Sequence, residues 1–351
     1  MKIVFLIEEF TGGGKERRLV ELLKGLIKHD MFKIHLVTTK TNNDYPEVNQ
    51  LPITIHRLNG FSNLVLIRQY YLLLKKIKPE VVHAWSIKTS FYASILKPLF
   101  KFKFIAGFIG DTFGFSKINA IMGHQLIFKR ADVIVSNSQV GLDNYKVPKA
   151  KGIVVYNGFD PKRISKNKIN KLQSIGITTP LKVVMLANVS KNKNYSLFIE
   201  IAQHFTKLRQ DITFIAIGKI HPEFKTLTNP YIDDRHPKIK FLGFREDVNQ
   251  LIKDCSIGLL CTYTEGISNA IMELMANGVP VITNDLQGGS KEIIANNADG
   301  YICGNNEFES KLKTLIEDKA LRLDFAKAAT NKIEAEFGIK AMVSNYIKIY
   351  N

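Results

Sequence analysis

Ile257-Gly258-Leu259-Leu260, then Thr264-Glu265-Gly266-Ile267-Ser268-Asn269-Ala270-Ile271-Met272-Glu273-Leu274, then Val279-Pro280-Val281-Ile282 read as strand, loop, helix and strand. Ser268 is placed to cap the helix, because a serine oxygen accepts from backbone N–H groups left unpaired in a first turn. The helix is expected to run to about Asn277, with Gly278 at the position after it, where a left-handed backbone is common. Open α/β sheets bind ligands beyond the carboxyl ends of their strands. Glu265 therefore stands at that edge, and Glu273, nearly two turns into the helix, faces the same crevice. The amides of Asn269 and Ala270 open the helix and can receive a phosphate. A carboxylate accepts from two hydroxyls at once, so this set suits a nucleotide bearing a sugar. Taken alone, the same residues also read as a solvated helix carboxylate (Glu273) and a capping one (Glu265).

Outward from this stretch the chain alternates. Ile3-Val4-Phe5-Leu6-Ile7 is a buried-strand run, followed by Gly12-Gly13-Gly14 and a helical spacing of apolar residues over 16–29. Strands at 33–38, 81–84, 104–106 and 133–136 interleave with helices at 64–77 and 118–129. A stretch rich in Lys, Asn and Ser from Asp160 to Pro180 interrupts the pattern, which restarts at Lys182-Val183-Val184-Met185-Leu186. Helices are expected at 195–208, 307–317, 319–336 and 339–350, and strands at 213–218, 239–241 and 257–260. Repeated strand–helix alternation argues for parallel, doubly wound sheets. Two domains follow: 1–165 and 181–336, joined by a linker over 166–180.

The 351 residues carry 49 Lys and Arg against 32 Asp and Glu, a net charge of +17. Such a field attracts nucleic acid, an anionic bilayer or phosphate-bearing substrates, although dispersed lysines also arise from compositional bias alone. Cys255, Cys261 and Cys303 form neither a CxxC pair nor a Cys/His metal spacing, which fits a reducing compartment and no metal site. No apolar run approaches the ~20 residues that span a bilayer. A cytoplasmic protein is expected, resting at most on the inner face of a membrane.

The stretch 264–274, with two glutamates separated by seven residues, resembles the donor-site motif of the retaining GT-B glycosyltransferases of family 4. The resemblance continues through Met275-Ala276-Asn277-Gly278-Val279-Pro280-Val281-Ile282 and through Asp285-Leu286-Gln287-Gly288-Gly289-Ser290-Lys291-Glu292-Ile293-Ile294. Val154-Val155-Tyr156-Asn157-Gly158-Phe159-Asp160 is similar to the family's interdomain signature, and Gly12-Gly13-Gly14-Lys15-Glu16-Arg17 to its first glycine loop. Phe241-Leu242-Gly243-Phe244-Arg245-Glu246-Asp247-Val248 resembles its base-side loop, and 337–351 its helix crossing back to the first domain. The resemblance implies two Rossmann-like domains facing across a cleft, the acceptor on the first and the nucleotide-sugar donor on the second. It implies sugar transfer with retention of configuration, no metal or other cofactor, and a glycan or lipid-linked acceptor in bacterial surface polysaccharide synthesis. A UDP-sugar is the favoured donor, and no nucleic-acid partner is expected.

The resemblance also assigns roles. Glu265 would hold sugar hydroxyls near the reacting carbon, and Glu273 the ribose hydroxyls. Lys193 and the amides of Ser268, Asn269 and Ala270 would meet the leaving diphosphate, with Gly13, Gly14, Phe244, Arg245, Gly266 and Ile267 lining the donor. Two departures stand out. Asn188 occupies the place of the family's usual Arg, five residues before Lys193. The first domain lacks the family's His near the end of the 104–106 strand, which leaves Asp111 as a candidate acceptor contact beside a plain turn reading. No protein nucleophile is evident, so same-face attack by the acceptor is the expected route.

The same residues admit other readings. A dinucleotide site wants Gly-x-Gly-x-x-Gly and an acidic residue about 20 positions on. Here Arg17 replaces the third Gly and the second strand ends Val37-Thr38-Thr39-Lys40. A nucleotide-sugar epimerase of the same architecture and a non-catalytic polyanion-binding protein remain as alternatives. His83 follows a strand and reads either as cleft-facing or as a satisfied buried histidine; His124 lies in a helix pattern away from chemistry. The stretch 90–104 mixes Leu96, Leu99, Phe100, Phe102 and Phe104 with Lys97, Lys101 and Lys103. It reads either as a face for anionic lipid or as a core helix entering a strand.

Overall fold

The computed structural model describes residues 1–10, 14–40, 43–107, 118–164, 170–263, 265–284 and 288–351, with backbone alone at 118–123. The chain divides into two compact units, Met1–Gly158 with Ile339–Asn351, and Phe159–Gly338.

In the first unit the strands are β1 (Lys2–Ile7), β2 (Lys33–Thr38), β3 (Thr54–Arg57), β4 (Val81–Ala84), β5 (Lys103–Gly107), β6 (Val133–Ser136) and β7 (Gly152–Val154). They form one parallel sheet in the order β3-β2-β1-β4-β5-β6-β7. Side chains alternate across a strand, and β1 shows the consequence. Ile3, Phe5 and Ile7 enter a core with α1 (Gly14–Leu26) and the terminal helix Ile339–Tyr350. Val4 and Leu6 enter a second core with α2 (Asn63–Ile77), α3 (Ile87–Leu96) and α4 (Ile118–Arg130). Both faces are covered, which is why β1 reads as an unbroken apolar run. A shorter helix, α5 (Gln139–Asn144), follows β6.

The second unit opens with α6 (Lys171–Ser174), then alternates β8 (Leu181–Leu186), α7 (Tyr195–Leu208), β9 (Ile212–Ile217), α8 (Lys225–Thr228) and β10 (Ile239–Phe241). It continues with α9 (Val248–Ile252), β11 (Ile257–Leu260), α10 (Asn269–Ala276), β12 (Val281–Thr283), α11 (Ser290–Ile293), β13 (Gly300–Ile302), α12 (Phe308–Glu317) and α13 (Lys319–Glu336). The sheet is again parallel, in the order β10-β9-β8-β11-β12-β13. The last helix, α14 (Ile339–Tyr350), returns to the first unit, where Met342, Val343 and Tyr346 pack under α1 and β1. Counted within each unit, the second order runs 3-2-1-4-5-6, the Rossmann order, and the first repeats it with a seventh strand added at the far edge. Each has its switch point between the first and fourth strands.

The chain enters the second unit at Phe159, not at 166–180. Residues 170–174 of that stretch lie in the unit, where the Lys171 N–H donates to Asp254 Oδ2 at 3.1 Å. The 90–104 stretch is mostly interior: Leu96, Phe102 and Phe104 are buried, and Lys97 pairs with Asp132 at 2.6 Å. Within the stretch Ile95 and Leu99 are exposed, and further exposed apolar side chains of this unit include Phe61, Leu64 and Leu72, before and on α2.

Candidate active site

At the second unit's switch point two loops leave neighbouring parallel strands, 187–194 after β8 and 261–268 after β11. Backbone bonds lace them together. Asn194 N–H donates to Cys261 O at 3.1 Å, and Tyr263 N–H to Asn192 O at 3.1 Å. The Asn194 side chain then caps α7 by accepting from Leu197 N–H at 3.2 Å. This lacing sets Lys193 against Glu265: the Lys193 Nζ donates to Glu265 Oε2 in an ion pair about one-seventh exposed on each side. Two charges so far withdrawn from water hold their places because each is the other's partner.

Glu265 is held from behind as well. Its carbonyl accepts from Gly289 N–H at 2.9 Å. A Cβ at 289 would lie 2.6 Å from Gly266 O, so this close approach requires glycine. Ser268 is buried and caps α10, its side chain accepting from Ile271 N–H. The helix start at Asn269 and Ala270 is half-buried, with Gly266 half-buried and Ile267 buried beside it. Gly278 ends the helix region with φ +72°.

Glu273 has a partner that sequence reasoning missed. Arg163 Nη2 donates to Glu273 Oε1, and its guanidinium lies over the Phe159 ring, 5.4 Å from the centroid. The signal was local: Asp160 followed by Pro161 starts a one-turn 3-10 helix, with Asp160 accepting from Lys162 N–H at 3.0 Å. Only the fold brings that turn, 110 residues away in sequence, to α10.

Asn188 is exposed, and its Oδ1 accepts from Lys219 N–H at 2.9 Å, joining the loops after β8 and β9. Arg245 makes a two-pronged bond to Asp247 at 2.8 and 2.7 Å, which raises the arginine pKa and lowers that of the aspartate. Phe244 beside it is 70% exposed. Lys191 is exposed. Gly14 is the first residue of α1 in the other unit, while Gly13 and Asp111 lie outside the described residues.

His83 is fully buried, with Nδ1 3.0 Å from the Tyr350 hydroxyl, and burial followed by the Arg18 charge holds its pKa well below the ordinary value. It is a core histidine under α14, not a cleft residue. His124 packs edge-on against Tyr145, and desolvation lowers its pKa. The first unit's switch point carries a contact that the sequence did not announce. Ser86, the cap of α3, donates to Glu8 Oε2 at 2.6 Å, and the Trp85 indole donates to Lys15 O at 2.8 Å. Among the described residues no three His, Cys, Asp or Glu side chains gather as metal ligands, and no helix is long and apolar enough to cross a membrane.

Two Rossmann-like units, the second with paired lysine and glutamate beside a capped helix start, make up a GT-B architecture. Residues 167–332 match the family Glycosyl transferases group 1, and residues 12–163 match Glycosyltransferase Family 4. The chain belongs to the group 1 glycosyltransferases.

Among its relatives is the Campylobacter jejuni N,N'-diacetylbacillosaminyl-diphospho-undecaprenol alpha-1,3-N-acetylgalactosaminyltransferase, 27% identical over 67% of this chain and 62% of that protein. The N-acetylgalactosamine-N,N'-diacetylbacillosaminyl-diphospho-undecaprenol 4-alpha-N-acetylgalactosaminyltransferase of the same organism is 23% identical over 60% of this chain and 58% of its own length. The match thus spans about three fifths of each of these two. The Escherichia coli UDP-Gal:alpha-D-GlcNAc-diphosphoundecaprenol alpha-1,3-galactosyltransferase is 23% identical over 93% of this chain and 90% of its own. Anabaena HepE in complex with UDP shares the fold with a TM-score of 0.86 at 19% identity, covering 99% of both chains. WaaG, a glycosyltransferase involved in lipopolysaccharide biosynthesis, does so at 0.74 and 14%, again over 99% of each chain. The epimerase and polyanion-binding readings find no support among these relatives.

Proposed function

We propose that this chain transfers a sugar from a UDP-sugar to a lipid-linked glycan precursor, with retention at the anomeric carbon and without a metal. The observation that carries the reading is the Lys193–Glu265 pair at the switch point, one loop away from the Ser268-capped start of α10. In this reading the Lys193 ammonium leaves Glu265 for the donor diphosphate. Together with the amides at 268–270 it stabilises the charge that develops on the leaving group. Glu265, released from the lysine, accepts from sugar hydroxyls beside the reacting carbon. Glu273 accepts from the ribose. With no protein nucleophile assigned, the acceptor hydroxyl attacks on the face the nucleotide leaves. Support comes from UDP bound to the HepE fold and from relatives named for diphosphoundecaprenol acceptors.

A lipid-linked acceptor places the protein on the cytoplasmic face of a membrane. The surface that suits this is the outer side of α2. Phe61 is 98% and Leu64 80% exposed, Leu72, Arg68, Lys75 and Lys76 are exposed too, and the helix contains no acidic residue. Apolar side chains among cations fit an anionic bilayer surface.

The deciding experiment is thermal unfolding of the full chain against UDP, GDP, ADP and their sugar conjugates in EDTA. A donor at a hundredfold excess over its Kd should add about 2.7 kcal/mol. Transfer to a diphosphoundecaprenol-linked sugar, with product anomer read by NMR, follows. Inversion at the anomeric carbon, or dependence on a divalent metal, would remove those parts of the proposal. No stabilisation by any nucleotide would remove it altogether.

A further inference from the structure

Glu273 and its partner Arg163 lie beside the point where the chain passes between its units. Gly158 and Phe159 form one crossing, Gly338 and Ile339 the other. The Phe159 N–H donates to Phe337 O at 2.8 Å, and Phe159 bridges Gly338, so the two crossings run side by side. Arg163 sits four residues beyond the first crossing, under a quarter exposed, with one face on the Phe159 ring and Nη2 on Glu273 Oε1. It also lines a polar hollow of 580 Å³ with Lys162, Glu246, Asp247 and Gln250. No other carboxylate is paired with Arg163 among the described residues.

We infer that Arg163 is a positioning residue that sets the Glu273 carboxylate for the nucleotide's ribose hydroxyls. The inference rests on the donor-site reading above. A carboxylate has lone pairs for more than one donor on each oxygen. With Oε1 held by the guanidinium, the carboxylate plane is set by a group that cannot lose its charge at neutral pH, and Oε2 stays available for a hydroxyl. The guanidinium is itself held by the Phe159 ring. Without it, Glu273 has to be oriented by the ligand, and ordering a side chain on binding weakens affinity.

The test is calorimetric binding of UDP and of 2′,3′-dideoxy-UDP to the full-length protein and to Arg163→Ala, Arg163→Lys, Glu273→Ala and the Arg163→Ala/Glu273→Ala double variant. Thermal midpoints are taken alongside to confirm folding. Wild type is expected to prefer UDP over the dideoxy analogue. Arg163→Ala should weaken UDP by about tenfold, the scale of a charge-assisted hydrogen bond, and leave the dideoxy analogue unchanged. Arg163→Lys should recover part of the loss. In the Glu273→Ala background, Arg163→Ala should cost nothing further, because a residue acting through another shows full coupling in a double-mutant cycle. Equal weakening of both ligands, or additive losses in the double variant, overturns the inference while leaving the donor site standing. Absence of UDP binding to wild type removes the donor-site reading and this inference with it.

Discussion

The two units repeat one strand order and place different chemistry at the same topological point. In the second, the loops after β8 and β11 bring a lysine and a glutamate into contact at the edge of a capped helix. In the first, the loops after β1 and β4 bring Glu8 to the Ser86 hydroxyl. Below it lie His83, Trp85, Tyr346 and Tyr350, packed ring against ring. The first unit also buries Arg18, whose Nη2 donates to Val155 O and to the Tyr346 hydroxyl. The difference teaches that the parallel sheet supplies a place, and that loop residues decide what the place does. The second unit sets a partly buried ion pair beside a capped helix start, whereas the first uses its polar groups to fasten α14.

The largest effect should separate the two switch points outright. Glu265→Gln is expected to lower kcat for sugar transfer by about 10²–10³-fold, while Glu8→Gln leaves UDP affinity as it was. Equal losses of donor affinity in the two variants would erase the distinction. Next comes the fastening of α14. Tyr346→Phe leaves buried Arg18 with one acceptor fewer, and an unsatisfied buried donor costs about 1–3 kcal/mol. Urea unfolding followed by hydrogen exchange should place that loss in the first unit. An unchanged midpoint would mean that Tyr346 holds α14 by its ring alone. Ser268→Ala removes the cap of α10 and should cost about 1 kcal/mol, with loss of protection confined to the second unit.

The pH dependence is the most diffuse test. In the first unit His35, His56 and His83 have pKa values lowered by burial, and the Nδ1 of His35 lies 3.1 Å from His56 Nε2. A histidine kept neutral by the fold takes up its proton more readily when unfolded, so its contribution is present above about pH 6.5 and falls as pH drops below it. Glu16, raised by burial, works in the opposite direction at lower pH. In the second unit His236 is the described histidine with a lowered pKa, again through desolvation. Between pH 7 and 5.5 the first unit should lose hydrogen-exchange protection before the second. The reverse order would break the comparison.

Much of the fold was legible beforehand because buried parallel strands are continuous apolar runs and their helices carry a 3.6-residue period. Helices 195–208, 319–336 and 339–350 fall where that period placed them. Three short edge strands were not legible, β3, β7 and β13, where one neighbour suffices and composition is mixed. By contrast β4, β6, β10 and β11, equally short, fall where their apolar runs placed them. Of the two readings of 90–104, the core helix entering a strand is the one the fold adopts, with Leu96 buried on the helix and Phe102 and Phe104 buried at the entry and interior of the strand.

By itself the sequence determined which residues cap, break and punctuate: Ser268 before α10, Gly278 after it, with Glu265 in the loop ahead of the cap and Glu273 within the helix. These depend on local backbone geometry, which a few neighbouring residues specify. Only the tertiary structure decided that Lys193 meets Glu265 across 72 residues and that Arg163 meets Glu273 across 110. It also decided that His83 is sealed beneath a helix 267 residues away. A charge or hydroxyl has no period and no propensity to mark its partner; sheet order and the lacing of loops choose it.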